Sequence, residues 1–521
     1  MALASAPGGP TYDGGTRARW IVTAYTQNGA ELDLTPAVVS VTWAKSLESP
    51  SGQWSVTLKR AAEPTVWDEA LEDDDWIALE CEVAERGRPP ARHLVTVGLV
   101  DSVRETRRSA GGAEVVQWTV TGRDFGKIFE ETEVYFQAAA AEAARDAAAA
   151  KSAEFSGNFA GAIFFKPGAF SPAGTPSEMV QGIVSAFLGK DGLLGGQWLV
   201  PEAVADHTPH PPRPSAPALR RLAQSGYETF GSYLDAESLV SDMGGQTVDL
   251  GLMNLTGSSG KLHSLLYQYT EPTVHELFYD VRPVTYPERD RAGNEARRSS
   301  LTRSIMTLVF RPRPFPLVLS GDNPIDAAYA DGMRAPWSAL PTHDVPGTHV
   351  LDANLGRGGQ ERYNFFLVYP AADLVQAGDP IFGAVGVRSI SMDTASIRVH
   401  GLRKFEHATR YARHPGPMPA GKAADKDLAY AKAIHDRLKL WYALNPHFYN
   451  GSITLKRLRP DIRVGDRARL TWRDGREIVF YVEGVQHSWR YPQHGQTTLT
   501  VTRGVRADDA RIGRIAGGGR T

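Results

Sequence analysis

Cysteine is almost absent from this 521-residue chain: Cys81 stands alone. One thiol excludes an internal disulfide framework and a zinc site built on cysteine pairs. Neither sign of charge is in surplus, with 57 Lys and Arg against 59 Asp and Glu. Binding nucleic acid over much of the surface takes a large basic excess, because Lys and Arg make the phosphate contacts, so no nucleic-acid specificity is expected. Long apolar runs are missing too, and none approaches the roughly 18–20 residues of a membrane helix. The opening MALASAPGGPTYDGG has no basic segment followed by an apolar one, so neither a signal peptide nor a membrane segment is expected. Gly (51) and Pro (34) stay under the roughly 25–30% that marks a disordered chain. Hydrophobic residues at 42% and charged residues at 22% are ordinary globular usage. The length allows about three or four domains at roughly 150 residues each.

What is present is alternation. Trp54, Val56 and Leu58 alternate with Ser55, Thr57 and Lys59, and Ile77, Leu79, Cys81 and Val83 with Ala78, Glu80 and Glu82. This period of two gives a strand one buried face. Cys81 lies on the apolar face, the place of a small inert hydrophobe rather than a reactive thiol. Val39-Val41-Trp43, Val95-Val97-Leu99 and Val116-Trp118-Val120 repeat the pattern, with turn signals at Asn28-Gly29, Ser51-Gly52 and Gly111-Gly112. Short strands with no helical period between them argue for an antiparallel barrel or sandwich.

After Thr121 the period changes. Gln137 to Lys151 is Ala-rich and helix-prone. Thr175-Pro176-Ser177-Glu178 has the form of a capping box and opens a segment with Val180, Ile183, Val184 and Phe187 on one face. Pro201 to Pro217 holds six prolines and reads as an extended surface excursion. Leu262, Leu265, Leu266 and Tyr269 restore helical spacing up to Pro272, and the charged stretch Pro287 to Ser300 reads as an exposed loop. Asp425 is a candidate cap for a helix carrying Leu428, Ala431, Ile434, Leu438 and Trp441 on one face. From Gly451 the period of two returns in Ile453/Leu455, Ala468/Leu470/Trp472, Ile478/Phe480/Val482 and Leu499/Val501, with a hairpin turn at Asp474-Gly475. The tail Gly517 to Thr521 reads as flexible.

Fragments that suggest catalysis fail on spacing. His275-Glu276 would begin a zinc-protease helix, but Tyr279 stands where the second histidine belongs. Gly260-Lys261 lacks the earlier glycine of a phosphate loop, with Leu255 in its place, and Leu262 replaces the magnesium-holding hydroxyl. Asp124-Phe125-Gly126 matches a kinase tripeptide without its partner motifs, and no Gly-x-Ser-x-Gly elbow occurs. Asp206-His207 with His210, and His343-Asp344 with His349, fit no ligand template and read as solvated loop histidines. The acidic runs at Glu72 to Asp75 and Glu130 to Glu133 read as solvated turns rather than a glycosidase pair. Trp20, Trp43, Trp54 and Trp118 suit core packing better than a sugar cleft. No catalytic residue, metal ligand or cofactor is therefore expected, and binding residues are left unassigned.

Five segments in order carry a family resemblance. VTGRDFGKIFEE (Val120 to Glu131), a strand running through a Gly-Arg-Asp turn into a helix, resembles the end of the first barrel in baseplate hub proteins of contractile phage tails and related contractile injection systems. LHSLLYQYTEPTVHELFYD (Leu262 to Asp280), THVLDANLGRGGQERYNFFLVYP (Thr348 to Pro370) and HGLRKFEHATRY (His400 to Tyr411) are similar to that family's middle elements. GSITLKRLRPDIRVGDRARL with FYVEGVQHSWRYPQHGQTTLTVTRG (Gly451 to Leu470, Phe480 to Gly504) is similar to its last barrel. WTVTGRD (Trp118 to Asp124) and LTVTRGV (Leu499 to Val505) are the echo that a duplicated barrel would leave.

The resemblance implies an α+β, mostly β protein: two similar antiparallel β-barrel modules joined by helical and irregular domains, with a long insertion. The expected divisions are a first, tube-facing barrel over 1–125 and a helical and Pro-rich connecting region over 126–260. A mixed middle region over 261–410 completes the barrels, a helix and second barrel occupy 411–505, and 506–521 is a tail. The strands expected to complete the barrels include Leu301 to Phe310 and Val385 to His400. The resemblance further implies a homotrimer that links a sixfold tail tube protein to a threefold spike protein. Wedge or tape-measure proteins would be further neighbours. Such a protein is made in the bacterial cytoplasm and ends in the baseplate of a virion or injection particle. The competing readings are a tail-associated cell-wall lysin and a secreted carbohydrate-binding β-protein. The single cysteine and the missing leader count against the latter.

Overall fold

A computed structural model describes residues 11–136, 173–188, 199–201, 227–241, 247–249, 258–315, 337–370, 389–412 and 422–506, with short interruptions in several of these stretches. Gln137 to Lys151, and the Pro-rich run after Pro201, lie outside the described residues. The protein is mostly β, and its sheets are predominantly antiparallel.

The first module holds β1 (Thr11–Asp13), β2 (Thr16–Tyr25), β3 (Glu31–Asp33), β4 (Val38–Ser46), β5 (Gln53–Lys59), β6 (Trp76–Glu85), β7 (Ala91–Ala110) and β8 (Ala113–Asp124). In β5 the alternation works as the sequence predicts, burying Trp54, Val56 and Leu58, whereas β6 is covered on both faces, with Ala78 and Glu80 buried as well as Leu79 and Cys81. In β4 to β8 the ladder runs β4-β5-β8-β7-β6, antiparallel throughout. β6 then pairs with β2, and β2 with β3. A 3-10 turn at Thr35–Ala37 carries the chain from β3 into β4.

The second module is built from β11 (Thr342–Pro346), β12 (Val350–Gly356), β16 (Tyr449–Leu455), β17 (Arg467–Thr471), β18 (Glu477–Arg490) and β19 (Gln496–Arg506). Its antiparallel order is β12-β16-β19-β18-β17. β11 adds in parallel to β17, and a 3-10 turn at Gly347–His349 leads it into β12. In chain order, both modules therefore run through the same permutation: first, second, fifth, fourth, third. The echoed segments Trp118 to Asp124 and Leu499 to Val505 lie on equivalent strands, β8 and β19. Asp474-Gly475 makes the turn between β17 and β18, with Gly475 at φ 82°.

The modules are not separate bodies. β4 pairs along its whole outer edge with β18, from Ser40 opposite Arg490 to Ser46 opposite Gly484. This joins both into one 14-stranded sheet. One apolar core contains Trp43, Trp54 and Trp118 from the first module and Trp489, Leu499 and Val501 from the second.

The strands expected from the middle of the chain behave differently. Among the described residues, β9 (His275–Arg289) and β10 (Glu295–Pro312) form a two-stranded ladder with each other, and the outer edge of β10 takes isolated parallel bridges from Asp235 to Thr307 and from Val240 to Phe310. Residues 389–400 form β14 (Ser389–Met392) and α4 (Thr394–His400). β14 belongs to a small sheet with β13 (Phe365–Pro370) and β15 (Lys404–Thr409). The second module is completed by β11 and β12 instead. The reason is burial: Phe278 and Val309 enter the main core, while Tyr279, Val281, Met306, Leu308 and Phe310 enter a second one. A hairpin covered on both faces needs no place in a larger sheet. Nor is Pro287 to Ser300 a loop throughout, since the ladder continues to Pro287 opposite Ser300 and Arg289 opposite Glu295. Backbone pairing requires no apolar side chain, so polar composition hides such a segment.

The longer helices among the described residues are α1 (Gly126–Glu131), α2 (Pro176–Leu188), α3 (Leu262–Gln268), α4 and α5 (Lys422–Ala443). The capping box of α2 forms, with Glu178 N–H donating to Thr175 Oγ1 at 3.3 Å and Thr175 N–H to Glu178 Oε2 at 2.9 Å. α5 begins at Lys422, so Asp425 lies inside the helix and is not its cap. Ile434, Leu438 and Trp441 are buried as their spacing predicts.

Candidate assembly core and its buried charges

The most developed polar constellation lies where the β9–β10 hairpin meets both modules. Arg282 of β9 donates to Asp466 Oδ1 at 2.6 Å and to the carbonyl of Val464, and lies 3.0 Å from Asp280 Oδ2. The other oxygen of Asp466 faces His343 Nε2 of β11 at 2.9 Å. His343 Nδ1 lies 3.3 Å from Asp461, which takes two hydrogen bonds from Arg459 at 2.7 and 2.8 Å. Arg463 reaches the other way, donating to the carbonyls of Leu94 and Val95 on β7 and lying 3.4 Å from Asp280. A chain of alternating charge, buried at Arg282, Asp280, Asp466 and Arg463 and half-buried at His343, Asp461 and Arg459, thus ties hairpin, first module and second module together.

The electrostatics follow from that alternation. Burial works against the His343 imidazolium, but hydrogen bonds and charge from Asp461 and Asp466 outweigh it and hold its pKa up to about 9. Burial would raise both carboxyls. Arg459 and His343 instead bring Asp461 well below the carboxylate range, and Arg282 and His343 lower Asp466. His343 is therefore a structural ion-pair member and not a solvated loop histidine.

A second cluster sits beside it. Arg311 of β10 donates to Glu276 at 2.6 Å and to the Gly465 carbonyl at 2.8 Å, and the Tyr481 hydroxyl donates to Glu276 at 2.6 Å. Arg503 covers the Phe315 and Tyr481 rings at 4.4 and 4.7 Å and donates to the Pro314 carbonyl. A cavity of about 300 Å³ opens next to it, lined among others by His263, His275, Glu276, Arg313, Glu483 and Arg503.

Other residues singled out from sequence take structural places. Asp124 is buried, pairs with Lys45 at 2.8 Å and accepts from Gly126 N–H at 2.9 Å, so Asp124-Phe125-Gly126 is the turn into α1. Burial raises the Asp124 pKa and Lys45 opposes it. The acidic runs are not simply solvated. Arg123 pairs with Asp101 and Glu130, each at 2.9 Å, and with Glu131, while Lys127 pairs with Asp74 at 2.6 Å. Asp75 accepts from Gln27 N–H and Glu72 N–H at 2.9 and 2.8 Å. His275 lies on a strand, stacked on Phe310 at 4.7 Å, and burial lowers its pKa to about 3. Asp206, His207 and His210 lie outside the described residues. Among the described residues, no group of three or more His, Cys, Asp or Glu side chains is placed to hold a metal ion, and no helix is long and apolar enough to cross a membrane. Exposed large apolar residues include Ile390, Met392, Val399 and Leu402 around β14 and α4, and Leu351 on β12.

The charge chain escaped sequence reasoning. Its one local signal was RLRPDIRVGDRAR (Arg457 to Arg469), where Arg and Asp interleave inside a barrel pattern.

No known protein family matches the chain in sequence, and no curated protein does. Among solved structures, the chain is similar to the 43 kDa tail protein of prophage MuSo2 from Shewanella oneidensis, at 11% identity over 93% of this chain and 98% of that one, with a TM-score of 0.39. A tail protein from Neisseria meningitidis MC58 is similar at 10% identity over 93% and 96%, TM-score 0.39. Prophage tail protein gp18 from Listeria monocytogenes EGD-e is similar at 12% identity over 95% and 97%, TM-score 0.35.

Proposed function

We propose that this chain is a structural baseplate hub of a contractile phage tail or injection particle. Three copies join a sixfold tail tube to a threefold spike, with wedge or tape-measure proteins as further neighbours. The protein is made in the bacterial cytoplasm and works in the baseplate without catalysing a reaction. The observation that carries this reading is the duplication: one strand permutation occurs twice in the chain, and the same turn recurs in both modules, where Val100 N–H donates to the Asp75 carbonyl in the first and Val482 N–H to the Asp466 carbonyl in the second. Three chains with two equivalent modules each present six equivalent surfaces, which is what a symmetry adaptor must do. The sequence resemblance from Val120 to Gly504 supports the same reading.

The test is reconstitution. Full-length protein mixed with the tube and spike proteins encoded beside it is expected to co-sediment with both, and native mass spectrometry is expected to give a trimer. Clearing of peptidoglycan in a zymogram by the isolated chain would favour the lysin reading and overturn this one.

A further inference from the structure

Within the chain, β4 is bonded on both sides, to β5 and to β18. β12 holds β4's place in the second module, yet among the described residues it is bonded only to β16. Conversely, the C-terminal half of β18 is bonded to both β19 and β4. β7 holds its place in the first module, and from Asp101 to Ala110 it is bonded, among the described residues, only to β8. Among the described residues, each chain therefore leaves two strand edges open, and they are the counterparts of the two edges that bond to each other inside it.

We infer that the open edge of β12 pairs antiparallel with the open edge of β7, residues 101–110, of a second copy of this chain. The seam repeats the internal β4–β18 ladder between molecules. Such a contact is head-to-tail, since edge β12 meets edge β7 and never itself, so successive copies close into a ring if the rotation allows. Charge agrees with the pairing. Arg104 and Arg108 are exposed on the β7 edge, where Arg107 pairs with Glu105 and Glu114 of its own chain, whereas β12 exposes Asp352 and has no cation between Val350 and Gly356. Leu351, 54% exposed on β12, gains cover in the seam. The inference deepens the hub reading and rests on it only for the count of three copies; the seam stands on the strand order.

Because Cys81 is the only cysteine and is buried, introduced thiols report cleanly. The full chain carrying both Asp352→Cys and Arg108→Cys, treated with a short bismaleimide, is expected to form cross-linked species that stop at three chains. Chains carrying either substitution alone are expected to stay uncross-linked, while a mixture of the two gives linked dimers. Reversing the β7 charges (R104E with R107E and R108E) is expected to shift native mass spectra to monomer, with the melting temperature close to that of the parent chain. A parent chain that is monomeric at micromolar concentration overturns the seam and the trimer alike. An oligomer that neither cross-links through these sites nor responds to the charge reversal overturns the seam and leaves the hub reading standing. A cross-linked ring that fails to bind tube or spike protein supports the seam and overturns the hub reading.

Discussion

At the scale of single residues, His343 is where burial and charge compete most openly. Its folded pKa of about 9 lies above the ordinary value of 6.5, so the protonated ring stabilises the fold. That contribution is complete below about pH 6.5 and is lost as pH rises through 9. Melting temperature is therefore expected to fall between pH 7 and 9. In His343→Gln the fall should largely disappear, at a cost on the order of 1–3 kcal/mol near neutral pH. A pH profile identical in the variant would remove His343 from the account. Gly465 makes a steric prediction nearby. Its φ is 77°, and an added Cβ would sit 2.7 Å from Arg311 Nη2 and 2.9 Å from the Phe278 ring. Gly465→Ala should cost about 2 kcal/mol or more, because both backbone strain and crowding oppose it. Unfolding midpoints in denaturant would measure that loss.

Among elements, the β4–β18 seam decides the architecture. Trp43 of β4 is buried, pairs across to Trp54 and stacks on His487 of β18 at 5.3 Å. Its ring spans the joint between modules. Trp43→Ala is expected to cost about 3–5 kcal/mol, the range for truncating a large buried aromatic. The turn into α1 depends on a different balance. Lys45 is fully covered against Asp124, so Lys45→Met leaves a buried carboxylate without its cation and should cost roughly 3–5 kcal/mol. Lys45→Met combined with Asp124→Asn should recover part of that loss, since the amide can still accept from Gly126 N–H. Thermal melts of the two variants, compared at neutral pH, give the answer.

For the whole molecule, the sheet that joins both modules and the core they share imply one cooperative unit. Residues of the first module such as Trp43, Trp54 and Val56 share their core with Trp489, Leu499 and Val501. A fragment of residues 1–136 is therefore expected to show no cooperative melt by circular dichroism, because the outer edge of β4 and part of its core would be bare. A sharp transition in that fragment would mean that the first module is an independent barrel.

The sequence by itself determined what depends on neighbours along the chain. Strand faces such as Trp54-Val56-Leu58 followed from a period of two, and the α2 cap and the turn at Asp474-Gly475 from side chains that bond or bend their own backbone. The repeat of Thr-Val-Thr at the ends of both modules was also visible. Partner choice was not. That β12, and not Leu301 to Phe310, completes the second module depends on which edges meet across hundreds of residues, and alternation is the same whichever partner a strand takes. The charge chain from Arg282 through Asp466 and His343 to Asp461 was hidden for a related reason. In one dimension Arg, Asp and His read as solvated surface, and only the packing of a hairpin against two modules takes them out of water and sets opposite charges within 3 Å or so of one another.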